Sequence, residues 1–198
     1  MRVAVPLVVL AAIAAVLGSH LPASSPSTAT SPTDVLRSVD RGIRSEHRSA
    51  ADGAVPDGAT VFDDDLPAVA NLDQALLDAL RQAATDAAGD GVEFLVNSGW
   101  RSPEYQEQLL LEAVSEYGSE EEAARWVATA DTSAHVSGDA VDIGHSDATA
   151  WLSEHGAEYG LCQIYGNEPW HYELRPEAIA HGCPSMYADP THDPRMQR

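Results

Sequence analysis

The chain has 198 residues, enough for one domain with a sizeable core plus some sequence outside it. It carries 31 acidic side chains against eleven basic ones, a formal net charge of −20, and such a surface repels nucleic acid and anionic lipid head groups. All eleven basic residues are arginine, and the lack of lysine excludes a Schiff-base amine, a phosphate-loop lysine and a Ser-x-x-Lys nucleophile.

Met1-Arg2 is followed by an apolar run from Val3 to Leu17 and then by small and polar residues. One positive charge, a short apolar stretch and a small-residue exit predict a secretory signal over residues 1–23. The run is shorter than the ~20 residues of a membrane span, so an uncleaved anchor is the alternative and the only expected tie to a membrane. Either way the chain is expected outside the cytoplasm. Residues 24–60 are rich in Ser, Thr, Pro, Ala and Asp without an apolar period, which predicts a flexible tether or propeptide.

The folded domain is expected over residues 61–185, with residues 186–198 as a C-terminal tail. Asn71, with Gln74 three positions later, reads as a capping box opening a helix. Leu72, Leu76, Ala79, Leu80, Ala83 and Ala87 mark its apolar face, and Gly89 closes it. Residues 92–97 form a short β-rich run. Ser102-Pro103 opens a second helix that reaches Tyr117 before Gly118. Ser119 with Glu122 predicts a third, running to about Ala130. A strand is expected over residues 140–143, a short helix over 147–155, and a closing pair of strands over 161–165 and 170–174. This order predicts an α+β fold: a small, mainly antiparallel sheet with packed helices.

Candidate chemistry concentrates in two stretches. In the strand at 140–143, Val141 and Ile143 share one face and face the core, while Asp142 faces away, towards a loop carrying His135. Asp139 cannot share a face with Asp142 in a regular strand, so Asp142 is the preferred ligand. Glu168 and His171 lie three apart, and Pro169 between them permits a turn that brings both to one side. Each of these residues taken singly is an ordinary polar side chain. Together, with Trp170 to wall the site, they predict a metal held by His135, Asp142 and His171 at the sheet edge. Cys162 and Cys183 bracket Glu168 and His171 and suit an oxidising compartment, which predicts a disulfide around that segment. A cysteine-based metal site is not expected, since no C-x-x-C spacing occurs.

Ser133-x-His135-x-x-Gly138-x-Ala140-Val141-Asp142, followed by Glu168-Pro169-Trp170-His171, resembles the signature of the VanY-type zinc D-alanyl-D-alanine carboxypeptidases of the M15 peptidase family. Ser98-Gly99-Trp100-Arg101-Ser102 with Gln106 resembles a third element of that family, with Trp100 in place of the commoner tyrosine. The resemblance covers roughly residues 66–175. It implies one zinc ion held by His135, Asp142 and His171, Glu168 as catalytic base, and Arg101 as a substrate-binding residue. Ser133 and Gln106 also fall on family positions. The implied activity is release of the terminal D-alanine from peptidoglycan stem peptides. A related D,D-dipeptidase, a peptidoglycan endopeptidase and a catalytically silent zinc-containing wall-binding module are the alternatives.

Overall fold

The computed structural model describes residues 48–197. The expected signal segment therefore lies outside the described residues, as does most of the tether. Among the described residues no helix is long and apolar enough to cross a membrane.

The chain forms helices α1 (Pro67–Ala70), α2 (Gln74–Gly89), α3 (Pro103–Tyr117), α4 (Glu120–Ala123), α5 (Ala134–Ser137), α6 (Ser146–His155) and α7 (Ala178–His181). Strands β1 (Leu95–Ser98), β2 (Ala140–Gly144), β3 (Leu161–Gln163) and β4 (His171–Leu174) make one sheet in the order β1-β2-β4-β3. Every neighbouring pair is antiparallel. The α+β class read from the sequence is the class observed.

One face of the sheet carries the core. Val96, Val141, Ile143, Leu161 and Tyr172 pack against Leu76, Leu77, Leu80, Ala83, Ala84 and Ala87 of α2 and against Trp151 and Leu152 of α6. These helix residues recur every three to four positions, so one stripe is buried while Asp78, Gln82 and Asp86 stay in water. The true N-cap of α2 is Asp73, not Asn71. Its carboxylate accepts from the amides of Ala75 and Leu76, satisfying two donors that the first turn leaves unpaired. At α3 the expected boundaries hold: Ser102 caps, Pro103 leads, and Gly118 ends the helix in the left-handed region.

Three segments depart from expectation. The third helix stops at Ala123 instead of running to Ala130. The backbone beyond it is used differently, with the Ala128 carbonyl accepting from Gln106 and the Asn167 side chain bonding the Arg125 carbonyl. Residues 49–60, assigned to the tether by composition, pack on the domain. Ala59 is buried, Thr60 pairs with Leu95 beside the outer strand β1, and Ser102 N donates to the Asp52 carbonyl. A covered strand edge offers no row of free amides, which is a reason for such a segment to lie there. Residues 186–197, assigned to a tail, also pack: Asp189 and Asp193 are buried, and Tyr187 pairs with Tyr165.

Candidate metal centre

The second face of the sheet is equally buried and chemically opposite. β2 and β4 are the central strands, and their register sets Asp142 beside His171 and Ala140 beside Glu173. Strand alternation then points Asp142, His171 and Glu173 to the face that Val141, Ile143 and Tyr172 do not use. The site thus sits on the middle of the sheet, where a strand on each side fixes the backbone, and not on an outer strand at the edge.

His135 arrives from α5, a single turn where the sequence predicts a loop. Gly138 ends that turn at φ 81°, and a Cβ on it would lie 2.5 Å from the Asn71 carbonyl oxygen. Only glycine both adopts this conformation without strain and permits that approach. The register shift between Val96 and Ser98 marks a bulge in β1 that turns the following Gly99-Trp100-Arg101 towards the site.

The three candidate ligand atoms form a nearly equilateral triangle. His135 Nε2 lies 3.3 Å from His171 Nδ1 and 3.4 Å from Asp142 Oδ1, and His171 Nδ1 lies 3.3 Å from Asp142 Oδ1. Donors placed ~2.0–2.1 Å from a tetrahedral zinc ion are separated by roughly 3.3–3.4 Å, so the triangle fits one without rearrangement. These residues also form the metal-competent group found among the described residues. The outer nitrogens are committed elsewhere. His135 Nδ1–H donates to the Gly99 carbonyl at 2.8 Å, and His171 Nε2–H donates to Glu173 Oε1 at 3.3 Å. Each bond fixes the ring orientation and leaves the inner nitrogen's lone pair for a cation.

Asp142 divides its oxygens. Oδ1 faces the imidazoles, while Oδ2 accepts from Arg101 Nη2 at 3.1 Å. Arg101 also donates through Nε to Ser98 Oγ at 2.8 Å and through Nη1 to Gln106 Oε1 at 3.1 Å. Gln106 is itself held, with its amide donating to the Ala128 carbonyl at 2.8 Å. Three of the five guanidinium N–H groups are engaged in this way, and two are left.

The electrostatics favour a cation at the triangle. Burial opposes ionisation of Asp142, but His135, His171 and Arg101 outweigh it and hold the carboxylate well below its usual range. Burial likewise opposes charge on His171, yet hydrogen bonds to Asp142 and Glu173 raise it to about 9. Burial, followed by the Arg101 charge, lowers His135. Glu168 is pushed up to about 7, mainly by burial. Its Oε2 lies 3.7 Å from His171 Nδ1, and its Oε1 is buried without a hydrogen-bond partner. A carboxylate on the edge of ionisation beside a metal-competent triangle is poised for proton transfer.

All seven sequence-predicted site residues line one cleft of about 420 Å³: His135, Asp142, His171, Glu168, Arg101, Gln106 and Ser133. Trp170, half-exposed, forms part of its wall. Cys162 and Cys183 are joined, with Cα atoms 5.6 Å apart. Sequence reasoning missed Glu173. Its position two residues after His171 on a strand was the available signal, since i and i+2 share a face.

Residues 69–177, more than half of the chain, match the family model "VanY: D-alanyl-D-alanine carboxypeptidase". A curated D-alanyl-D-alanine carboxypeptidase of Enterococcus faecalis (strain ATCC 700802 / V583) is 36% identical over 111 residues. That match takes in 43% of this chain and 41% of the relative, so the chain spans about two fifths of that protein's length. The solved structure of VanYB in complex with D-alanine-D-alanine is 29% identical with a TM-score of 0.51, covering 56% of this chain and 74% of that one. The LdcB LD-carboxypeptidase, solved in a study of peptidoglycan recognition, is 25% identical with a TM-score of 0.52, covering 65% and 71%. With its metal-competent triangle carried on that matched region, the chain belongs to the VanY D-alanyl-D-alanine carboxypeptidase family.

Proposed function

We propose that this protein is a zinc-dependent D,D-carboxypeptidase that releases the terminal D-alanine from peptidoglycan stem peptides or their precursors. The observation that carries the reading is the triangle of His135, Asp142 and His171 at tetrahedral spacing, with Glu168 opening onto the same cleft. Family membership supports it, as does the D-alanine-D-alanine held by the related VanYB. Two imidazoles and one carboxylate are a donor set suited to catalytic zinc, which leaves a coordination position open. Zinc held there would acidify a water and polarise the scissile carbonyl.

The chain's own residues do the rest. Glu168 accepts the proton of the attacking water and passes it to the amine as the C–N bond breaks. Its burial, with Oε1 free of any hydrogen-bond partner, leaves the carboxylate available for both halves of that task. Arg101 is the fixed cation of the cleft in a chain of net charge −20. Its two remaining N–H groups form the fork that recognises the substrate's terminal carboxylate. Gln106 holds that guanidinium in place, and Ser133 lines the wall beside His135. The protein acts outside the cytoplasm, exported by the segment at residues 1–23.

The test is mass spectrometry of zinc-loaded protein on a stem pentapeptide, its C-terminal amide, D-alanyl-D-alanine and cross-linked muropeptides. Loss of a single alanine from the free acid, with the amide cleaved ~10–150-fold less well, is the expected pattern for a charge-assisted contact of roughly 1.5–3 kcal/mol. Equal cleavage of amide and acid removes Arg101 from carboxylate recognition and favours an endopeptidase. Preferred cleavage of the free dipeptide favours a dipeptidase.

A further inference from the structure

The cleft also depends on chain that lies beyond the family match, which ends at residue 177. Cys162 is paired with Glu173 and so shares the site face, and beyond its disulfide to Cys183 the chain runs along that face. Tyr187 N donates to the Ile164 carbonyl at 2.9 Å and Gly166 N to the Tyr187 carbonyl at 2.8 Å. Asp189 accepts from Arg125 Nε at 3.1 Å, and the fully buried Asp193 accepts from the Tyr165 hydroxyl at 3.0 Å. Pro190 and Met196 of this segment line the cleft.

The segment ends on the metal centre through two links. Arg195 Nη1 donates to Glu173 Oε2 at 2.7 Å and Nη2 donates to Glu173 Oε1 at 3.1 Å. Glu173, only 1% exposed, accepts from His171 Nε2–H through Oε1. Arg175 also reaches Glu173, but only at Oε2, 2.6 Å away. The two arginines therefore differ. A grip on one oxygen lets the carboxylate swing about that contact, whereas one N–H on each oxygen fixes its plane. The oxygen that orients His171 is the one Arg195 holds and Arg175 does not.

We infer that Arg195 and Glu173 are positioning residues for the metal centre, and that residues 184–197 form a brace that completes it. The inference rests on the zinc reading of the site. Arg195 fixes Glu173, and Glu173 fixes the His171 ring with Nδ1 facing the triangle. Carboxylates that hold a ligating imidazole in this way typically change metal affinity ~10–100-fold when lost.

The experiment measures zinc affinity by competition with a chromophoric chelator, in the full-length wild-type protein and in Arg195→Met, Arg195→Lys and Arg175→Met. Melting of the metal-free forms is followed in parallel. The expected result is a ~10–100-fold weaker affinity for Arg195→Met and an intermediate loss for Arg195→Lys, which keeps the charge but not the two-oxygen grip. Arg175→Met should stay within about threefold of wild type by the same reasoning. A purely structural brace would lower metal-free melting of Arg195→Met and leave affinity unchanged, which overturns the inference. Equal losses for both arginines overturn it too. If Arg195→Met does not fold, Arg195→Lys decides, and wild-type affinity in it is contradictory. Wild-type protein that takes up no zinc removes the zinc reading and this inference with it. Wild-type protein that binds zinc but hydrolyses nothing removes only the proposed activity.

Discussion

The two faces of the four-stranded sheet are buried alike and built on opposite principles. Val141, Ile143 and Tyr172 are at most 1% exposed on one face, while Asp142, His171 and Glu173 are 7%, 4% and 1% exposed on the other. Burial therefore does not separate core from site. The apolar face needs only complementary volume, which α2 and α6 supply with side chains of the same kind. The charged face needs named partners, because an ion out of water is costly unless paired. Those partners come from far along the chain: Arg101 for Asp142, the Gly99 carbonyl for His135, and Arg195 for Glu173. One face is general and the other is specific.

Substitutions should pull the two faces apart. The largest effect is expected from Glu168→Gln, which should lower turnover on a stem pentapeptide by ~10²–10⁴-fold, the usual worth of a general acid–base group. Zinc content and melting temperature should stay at the wild-type level; loss of zinc would make Glu168 a ligand instead. On the opposite face, Leu80→Ala should cost ~2–5 kcal/mol in denaturant unfolding, the range for a buried leucine whose neighbours relax only partly. Activity per folded molecule should survive it, and a matching fall in kcat/KM would show the faces to be coupled. Replacing both Cys162 and Cys183 by serine should cost about 3 kcal/mol, the loop-closure worth of a 21-residue separation. That variant should also unfold first around the segment carrying Glu168 and His171, as read by hydrogen exchange.

The smallest effect concerns pH. Burial opposes the charge on Asp189, but hydrogen bonds from Thr191, His192 and Arg125 overcome it and bring the pKa down to about 2. An unfolded aspartate titrates near 3.9, so this group contributes stability above about pH 4 and loses it as the pH falls towards 2. Asp189→Asn should be less stable than wild type at pH 6, with the gap closing by pH 2. A gap that persists at pH 2 would assign the difference to packing.

How much could be read beforehand follows the same division. The apolar face was legible, since Leu76, Leu80 and Ala83 repeat at helical spacing and Val141 and Ile143 alternate on a strand. The parity that buried those two residues also predicted the direction of Asp142, and the ligand candidates converge as read. What stayed hidden depended on contacts between distant segments. Residues 49–60 show no period because a run of Ala, Gly and Pro pairs through its backbone, as at Thr60 and Leu95. The third helix ends at Ala123 although its composition permits more, and the chain beyond it gives carbonyls such as that of Ala128 to distant side chains, which no local pattern announces. Arg195 carries no local mark of its tie to Glu173, 22 residues earlier. Glu173 itself could have been found from its strand parity with His171.

The charged face carries a group of side chains, His135, Asp142 and His171, spaced to hold a metal ion. Calorimetric titration of zinc into metal-free wild-type protein, and into Asp142→Ala, tests this most directly. One tight site per chain in the wild type, lost in Asp142→Ala, is the predicted result. Stoichiometric zinc binding that survives the removal of Asp142, or no tight site in the wild type, would contradict it.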